Sequence, residues 1–130
     1  MIVLDASAIV ELLLGTPLGA KVAARVARSD ELHAPHLLDV EVLSCLRRLQ
    51  RVGAFSDERA WQMLRALHDL DVERHPHDGL LPRAWELRQS STAYDAMYVA
   101  LAEALRAPLL TLDERLAKAS GHDARVELLR

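Results

Sequence analysis

Short apolar segments alternate with longer amphipathic segments along the whole chain. The short segments predict buried strands at residues 1–4, 32–35, 71–75, 109–112 and 126–129. The longer segments predict helices at residues 7–14, 16–28, 37–52, from 56 or 57 onward, 80–88, 92–106 and 113–119. Helices that separate successive strands are typical of a parallel α/β sheet. No linker or internal repeat divides the pattern, so we predict one domain spanning residues 1–130.

Apolar positions also predict the buried face of two helices. In the helix at 37–52, one stripe comprises Leu38, Val42, Cys45, Leu49 and Val52. In the helix that begins near residue 56, one side carries Trp61, Leu64, Leu67 and His68. Both stripes recur at the three- and four-residue spacing of a helix face that packs on a core.

The composition, with 51% hydrophobic and 4% aromatic residues, favours a globular chain with an aliphatic core. No apolar stretch approaches the roughly 20 residues of a membrane-spanning helix. The opening MIVLD lacks the basic start of a signal peptide. The single cysteine, Cys45, excludes an internal disulfide and fits a reducing compartment. We therefore expect a cytoplasmic protein with no membrane partner.

The charge balance bears on possible partners. Sixteen basic and 19 acidic residues give a formal charge of −3, which argues weakly against a nucleic-acid partner. If four acids bind a metal ion, however, the remaining 15 nearly balance the 16 basic residues. Arg47, Arg48 and Arg51 form a basic patch that is either a solvated face or a contact surface for RNA or a partner. Trp61 and Trp85 belong either to the core or to a dimer interface.

Four acidic residues stand among apolar or small neighbours: Asp5, Glu41, Asp95 and Asp113. Asp5 and Asp113 directly follow two predicted strands, and open α/β folds bind ligands at the carboxyl ends of strands. Glu41 and Asp95 lie on predicted helices with no charged residue three or four positions away. Because an ionised carboxylate is costly to bury alone, the four together predict one divalent-metal site.

Each acid also has a structural explanation. Thr92 and Asp95 fit a capping box, and Asp5 or Asp113 could cap the helix that follows it. Glu41 could pair with a distant arginine. Capping and metal binding are compatible, because helix N-termini favour nearby negative charge.

The donor set indicates which cation would bind. Carboxylates without histidine or cysteine suit a hard ion such as Mg²⁺ or Mn²⁺, and such sites can hydrolyse phosphodiesters. The sequence contains no glycine-rich nucleotide-binding motif, so no organic cofactor is expected. Four histidines flank prolines and are interpreted as loop residues: His33, His36, His75 and His77.

Four segments carry a resemblance to a known family: MIVLDASAIVELLL, PHLLDVEVLSCLRRL, STAYDAMYVALAEAL and APLLTLDERLAKA. They resemble PIN-domain ribonucleases, specifically the VapC-type toxins of bacterial toxin–antitoxin pairs, from Met1 almost to the C-terminus. The four acids occur in the family's order, each in a family-like context. Ala6 stands where members often have Thr or Ser, and residues 56–90 carry no family-specific chemistry.

The resemblance implies a PIN fold, a three-layer α/β/α arrangement with a short parallel sheet flanked by helices, usually dimeric. It implies Mg²⁺-dependent endonucleolytic cleavage of a structured RNA, such as tRNA or rRNA, that leaves a 3′-hydroxyl and a 5′-phosphate. It also implies a cognate VapB-type antitoxin whose C-terminal segment blocks the acidic cleft.

Together these considerations assign expected roles. Asp5 and Asp95 would be the principal metal ligands, and Asp113 would complete or widen the site. Glu41 would bind through water, or orient and deprotonate the attacking water. Two hydroxyls would hold the carboxylates by hydrogen bonds: Ser7 and Thr111.

Two other functions compete with this interpretation. Asp5 could be the nucleophile of a haloacid-dehalogenase-like phosphatase, but Ser7 stands where that family has a second acid. A degenerate PIN domain could act only as a scaffold or an antitoxin-binding module. The presence of all four acids disfavours this non-enzymatic alternative.

Overall fold

The structure, a computed structural model, describes residues 1–130 and contains five strands and seven α-helices. The strands are β1 (Ile2–Leu4), β2 (Leu32–Pro35), β3 (Val72–His75), β4 (Leu109–Thr111) and β5 (Val126–Leu128). The helices are α1 (Ala6–Leu14), α2 (Pro17–Val26), α3 (Leu37–Arg51), α4 (Asp57–Asp69), α5 (Leu81–Glu86), α6 (Ala93–Leu105) and α7 (Glu114–Lys118). A 3₁₀ turn, Asp78–Leu80, precedes α5.

All strand pairs are parallel, and the sheet order is β3-β2-β1-β4-β5. The chain first moves outward from β1 to β3 and then returns past β1 to β4 and β5. Since crossovers between parallel strands are right-handed, this reversal places the helices of the two halves on opposite faces. Helices α1 to α4 accordingly pack on one another, while α6 packs on α5, β1, β2 and β4. The predicted three-layer parallel α/β fold is confirmed.

The core is a cluster of 29 buried apolar residues on both sides of this sheet. Strands β1 and β4 are completely buried, which explains why they read as short apolar runs without alternation. In α6, every residue from Ala96 to Ala102 is buried. Because alanine dominates this helix, it can lie close to the sheet.

Helices α1 and α2 form a tight hairpin bent by 114°. Gly15 ends α1 in the left-handed conformation with φ of 69°, which glycine adopts without strain. A Cβ at Gly19 would lie 2.1 Å from the backbone oxygen of Glu11, so only glycine fits where α2 crosses α1. No single helix has the length and hydropathy to cross a membrane. The two helices of this bent pair meet both criteria only when they are taken together.

Two details of the predicted helix faces were wrong. Val52 lies beyond the end of α3 and is 77% exposed, while Leu46 is buried in line with Leu38 and Val42. On α4 the buried residues are Met63 and Leu67, whereas Trp61 is 58% exposed. In both helices the buried face is set by the neighbouring helices, which the local pattern does not contain.

Candidate active site

Strands β1 and β4 lie at the point where the strand order reverses. Their outgoing connections pass to opposite faces of the sheet, so a crevice opens beyond their carboxyl ends. Asp5 immediately follows β1 and Asp113 follows β4 by two residues. The register pairs Leu4 with Leu110, and the Asp5 amide donates to the carbonyl of Leu110 at 3.2 Å. The topology therefore brings these two acids, distant in sequence, to one crevice.

Asp5 is the most enclosed of the four acids, with 5% of its surface exposed. Its Oδ1 caps α1 by accepting from the Ala8 amide at 3.0 Å and also accepts from Ser7 Oγ at 2.6 Å. Its Oδ2 accepts from Thr111 Oγ1. Burial raises the pKa of this carboxyl, and the three hydrogen bonds offset only part of that effect. Asp5 is thus both a helix cap and a costly buried acid.

The hydroxyls of Ser7 and Thr111 are themselves held by the loop after β4. Ser7 Oγ accepts from the Leu112 amide at 2.9 Å, and Thr111 Oγ1 accepts from the Asp113 amide at 3.0 Å. Because each oxygen receives an amide proton, its own proton is directed to Asp5. The two hydroxyls thereby connect the ends of β1 and β4.

Glu41 projects from the middle of α3 into the same crevice and is partly buried. Burial raises the pKa of its carboxyl; the nearby Tyr98 hydroxyl opposes the shift, and the charges of Asp95 and Asp5 add to it. Glu41 Oε1 and the Tyr98 hydroxyl are buried, yet neither makes a hydrogen bond of good geometry. A buried carboxylate oxygen without a partner is a site that a cation or a water molecule can satisfy.

Asp95 lies in the first turn of α6, where its amide donates to the N-cap Thr92 at 3.1 Å. Burial raises the pKa of its carboxyl, Arg115 opposes that shift, and Asp113 reinforces it. Asp113 caps α7 by accepting from the Arg115 amide at 2.8 Å. The Arg115 guanidinium reaches both acids, at 3.2 Å from Asp95 and 3.4 Å from Asp113.

All four acids line one cleft of about 830 Å³. Among its other lining residues are Ser7, Val40, Arg48, Tyr94, Tyr98 and Arg115. The charges of the acids act on one another pairwise, since Asp113 raises the pKa of both Asp5 and Asp95. The structure therefore brings together every acid that the sequence predicted as one site.

The cleft fits a hard divalent cation by its chemistry. Its acidic donors are all carboxylate oxygens, their mutual repulsion would be relieved by a cation, and one oxygen of Glu41 has no partner. No three of these carboxylates bring ligand atoms within 4.8 Å of one another. A bound ion would therefore be held partly through water or would draw the carboxylates inward.

Arg115 and Tyr98 are among the residues of this cleft that the sequence prediction missed. Arg115 was overlooked because its partner Asp95 lies 20 positions earlier, on another helix. Tyr98 was missed although it follows Asp95 by three positions, a spacing that places both on one side of α6. The alternative explanation of Glu41, a pair with a distant arginine, was wrong, since no ion pair forms at that residue.

Other candidates from the sequence are placed as follows. Cys45 is partly buried against the core, and Arg48 lines the cleft and donates to the Cys45 sulfur at 3.5 Å. Trp85 is exposed and lies under the Arg88 guanidinium at 4.6 Å from the ring centre. His33 and His75 lie in β2 and β3, as the strands predicted at residues 32–35 and 71–75 place them, so the alternative interpretation of these two as loop residues was wrong.

The fold and the cleft define a small α/β domain with an acidic site at the switch point of a parallel sheet. Comparison with known proteins places it more closely. The PIN domain family profile matches residues 2–121. Ribonuclease VapC12 of Mycobacterium tuberculosis is 46% identical over 129 residues, covering 99% of each chain.

Solved structures with a similar fold include members of the same group of proteins. PAE2754 from Pyrobaculum aerophilum is 29% identical with a TM-score of 0.68, covering 96% of this chain and 82% of that one. VapBC2 from Rickettsia felis, bound to a DNA fragment from its promoter, is 14% identical with a TM-score of 0.69, and 98% of each chain is covered. The chain belongs to the PIN-domain family, in its VapC group. The haloacid-dehalogenase-like alternative is thereby set aside.

Proposed function

We propose that this protein is an endoribonuclease that hydrolyses phosphodiester bonds with the help of Mg²⁺, and that it is the toxin of a toxin–antitoxin pair. One observation carries the proposal. Four carboxylates from four separate segments line one cleft at the switch point of the sheet. They do so in a PIN-domain chain whose curated relatives include ribonucleases.

Asp5, Asp95 and Asp113 would hold the ion, with Mn²⁺ as a possible replacement. When bound, such an ion polarises a phosphoryl oxygen and makes water a better nucleophile. Asp5 is suited to a fixed ligand, because Ser7 and Thr111 hold both of its oxygens.

Glu41 would accept a proton from the attacking water. Its Oε1 makes no hydrogen bond of good geometry, and burial raises the pKa of its carboxyl, which makes the ionised carboxylate a stronger base. Its helix, α3, packs with α1 and α4, whereas α6 packs on the other face of the sheet, and Glu41 and Asp95 line the same cleft from these two helices.

The substrate would be a structured RNA such as a tRNA or an rRNA. Arg48 and Arg115 line the cleft among the acids, and guanidinium groups are suited to phosphate contacts. Tyr94 also lines the cleft and is largely exposed, so it could stack on an unpaired base. These contacts favour an unpaired segment entering the cleft rather than a continuous duplex.

A VapB-type antitoxin segment would occupy the same cleft. Nine of the 18 residues that line the cleft are hydrophobic, so an amphipathic peptide with a basic side chain could cover both the apolar wall and the acids. We also propose a homodimer, for which the exposed Trp61, Leu81 and Trp85 are candidate contacts.

The decisive experiment maps RNA 5′ ends after expression of the wild type and of Asp5→Asn. We expect new 5′-phosphate ends at one site in the wild type and none with Asp5→Asn. Glu58→Gln, which removes an exposed acid on α4, is the matched control and should cut like the wild type. Equal cutting by wild type and Asp5→Asn would indicate a contaminating nuclease and reject the proposal.

A metal titration separates the enzyme from a non-catalytic scaffold. Because an ion that binds only the folded state stabilises it, Mg²⁺ should raise the melting temperature of the enzyme and not that of a scaffold. Co-purification with the product of the neighbouring gene tests the antitoxin, and light scattering tests the dimer.

A further inference from the structure

A second group of potential ligands lies outside the acidic cleft. His33, Glu73 and His75 each offer one ligand atom, and these atoms lie within 4.8 Å of one another. None of the three residues lines the acidic cleft. Two of the three donors are imidazoles, so this group differs in chemistry from the all-oxygen set of the cleft.

The sheet register explains why the three side chains meet. In the parallel pair of β2 and β3, His33 stands opposite Glu73, and His75 follows Glu73 by two residues. Alternate residues of a strand share a face, so all three side chains project from the same side. Val72 and Arg74 project from the other side, where Arg74 pairs with Asp39 of α3.

The distances are close to those of a metal-binding set. His33 Nδ1 lies 2.9 Å from His75 Nε2 and 3.5 Å from a Glu73 oxygen. Ligands at 2.0–2.1 Å from a tetrahedral Zn²⁺ are about 3.4 Å apart. An adjustment of about half an ångström between the two imidazoles would therefore admit the ion.

The second ring nitrogen of His33 also has a hydrogen-bond partner. Its Nε2 lies 3.3 Å from a Glu31 oxygen, and the His33 side chain is 4% exposed. A carboxylate that accepts from Nε2–H leaves the Nδ1 lone pair directed at His75 and Glu73. A carboxylate behind a histidine in this way is the usual support of a zinc ligand.

We propose that His33, Glu73 and His75 bind one Zn²⁺ ion, with Glu31 orienting His33. Imidazole and carboxylate together suit a borderline ion such as Zn²⁺. The Glu73 side chain is 68% exposed, so the fourth position opens to solvent and takes water. The ion takes the place of the hydrogen bond that joins His33 Nδ1 and His75 Nε2 at 2.9 Å.

The role of this site is structural. β3 is an edge strand that pairs only with β2, and the ion joins the side chains of these two strands. The His75 carbonyl also accepts from the His36 amide at 2.8 Å, directly before α3. The ion therefore anchors the edge strand and the start of the helix that carries Glu41.

The test uses the full chain, stripped of metal and then held in excess Mg²⁺ so that the acidic cleft does not compete. Zn²⁺ is the probe, followed by calorimetry and by the melting temperature. We expect one Zn²⁺ per chain and a melting temperature several degrees higher. Co²⁺ in its place should give the visible absorption of a tetrahedral site.

Four variants and two controls make the result specific. Glu73→Gln and His75→Gln should abolish the Zn²⁺ effect, and because Glu73 is exposed its replacement leaves the fold intact. Glu31→Gln should weaken Zn²⁺ binding roughly 10- to 100-fold. His33→Gln should also abolish it, and His68→Gln, at an exposed histidine of α4, should bind like the wild type. Asp5→Asn should also bind normally.

Either of two results would overturn the proposal. One is a wild type that shows no Zn²⁺ effect in the presence of Mg²⁺. The other is a Zn²⁺ effect that persists in Glu73→Gln and His75→Gln, or that disappears in Asp5→Asn, since either pattern would assign the ion to a different site.

Discussion

The Arg115 guanidinium lies 3.2 Å from the Asp95 carboxylate, inside the cleft formed by the four acids. The pair joins the first turn of α7 to the first turn of α6, and the same group lies 3.4 Å from Asp113. Arg115 is therefore a built-in cation at the place where a divalent ion would bind.

Replacing Arg115 should strengthen metal binding. Arg115→Gln removes a positive charge that competes with the ion, and an exposed ion pair of this kind contributes about 0.2–1 kcal/mol. We therefore expect Mn²⁺ to bind up to about fivefold more tightly in calorimetry. Arg115→Lys retains the charge and should bind like the wild type, as should Lys118→Gln one turn further on. Weaker binding by Arg115→Gln would contradict the competition.

Thr111 should act on the metal through Asp5. Thr111→Val keeps the side-chain shape but removes the hydroxyl that donates to Asp5 Oδ2. Loss of such a supporting hydrogen bond typically weakens metal binding 10- to 100-fold. Thr111→Ser should restore most of the Mn²⁺ affinity, which a purely packing role for Thr111 would not predict.

The acids should make metal-free stability depend on pH. Burial raises the folded-state pKa values of Asp5, Glu41 and Asp95 above 3.8, 4.5 and 3.8 respectively. The folded chain therefore binds protons more tightly than the unfolded chain. The resulting stabilisation is fully present at pH values below the pKa values of these groups in the unfolded chain. It is lost as pH rises through their pKa values in the folded chain.

The measurement compares urea unfolding of wild type and Glu41→Gln in EDTA from about pH 4 to neutrality. Relative to Glu41→Gln, the wild type should lose stability as pH rises, because only the wild type must ionise Glu41. Added Mg²⁺ should reduce or reverse this trend, since metal binding requires the ionised carboxylates. If the wild type in EDTA instead became more stable than Glu41→Gln as pH rises, the result would refute a raised pKa for Glu41.

Two glycines should respond oppositely to alanine. At Gly19 the new Cβ would overlap the backbone oxygen of Glu11, so Gly19→Ala should lower the free energy of unfolding by about 1–3 kcal/mol. At Gly79 no atom lies within 4 Å of the new Cβ, and Gly79→Ala should be neutral or slightly stabilising. Thermal melting of both variants measures the contrast, and equal effects would refute the close α1–α2 contact.

The sequence predicts the elements of this fold well because their signals are local. The caps Thr16, Ser56 and Thr92 and the left-handed Gly15 begin or end their helices where the pattern places them. The acidic cleft could also be predicted from the sequence, since the carboxyl ends of parallel strands share one edge of the sheet and therefore bring Asp5 and Asp113 together. The metal-ligand roles and the single-domain assignment remain predictions.

Contacts between segments that are distant in sequence could not be predicted in the same way. His33 and His75 are 42 residues apart, and only the register of β2 on β3 shows that they meet. The apolar pattern predicted strands at both positions, but the neighbouring prolines, typical of turns, pointed to loops; Pro35 in fact ends β2 within the sheet. Arg115 was hidden for the same reason, because its contact with Asp95 depends on how α7 lies against α6.

The hydrogen bond from Thr111 to Asp5 spans 106 residues of the chain. A growing chain that has not yet reached β4 lacks one of the two strands beside β1, one of the two hydroxyls that hold Asp5, and Asp113. Its proposed catalytic cleft therefore stays incomplete until β4 and Asp113 have been made. A nuclease built this way can become active only after β4 has been made and has paired with β1, which leaves an interval in which an inhibitor can already be present.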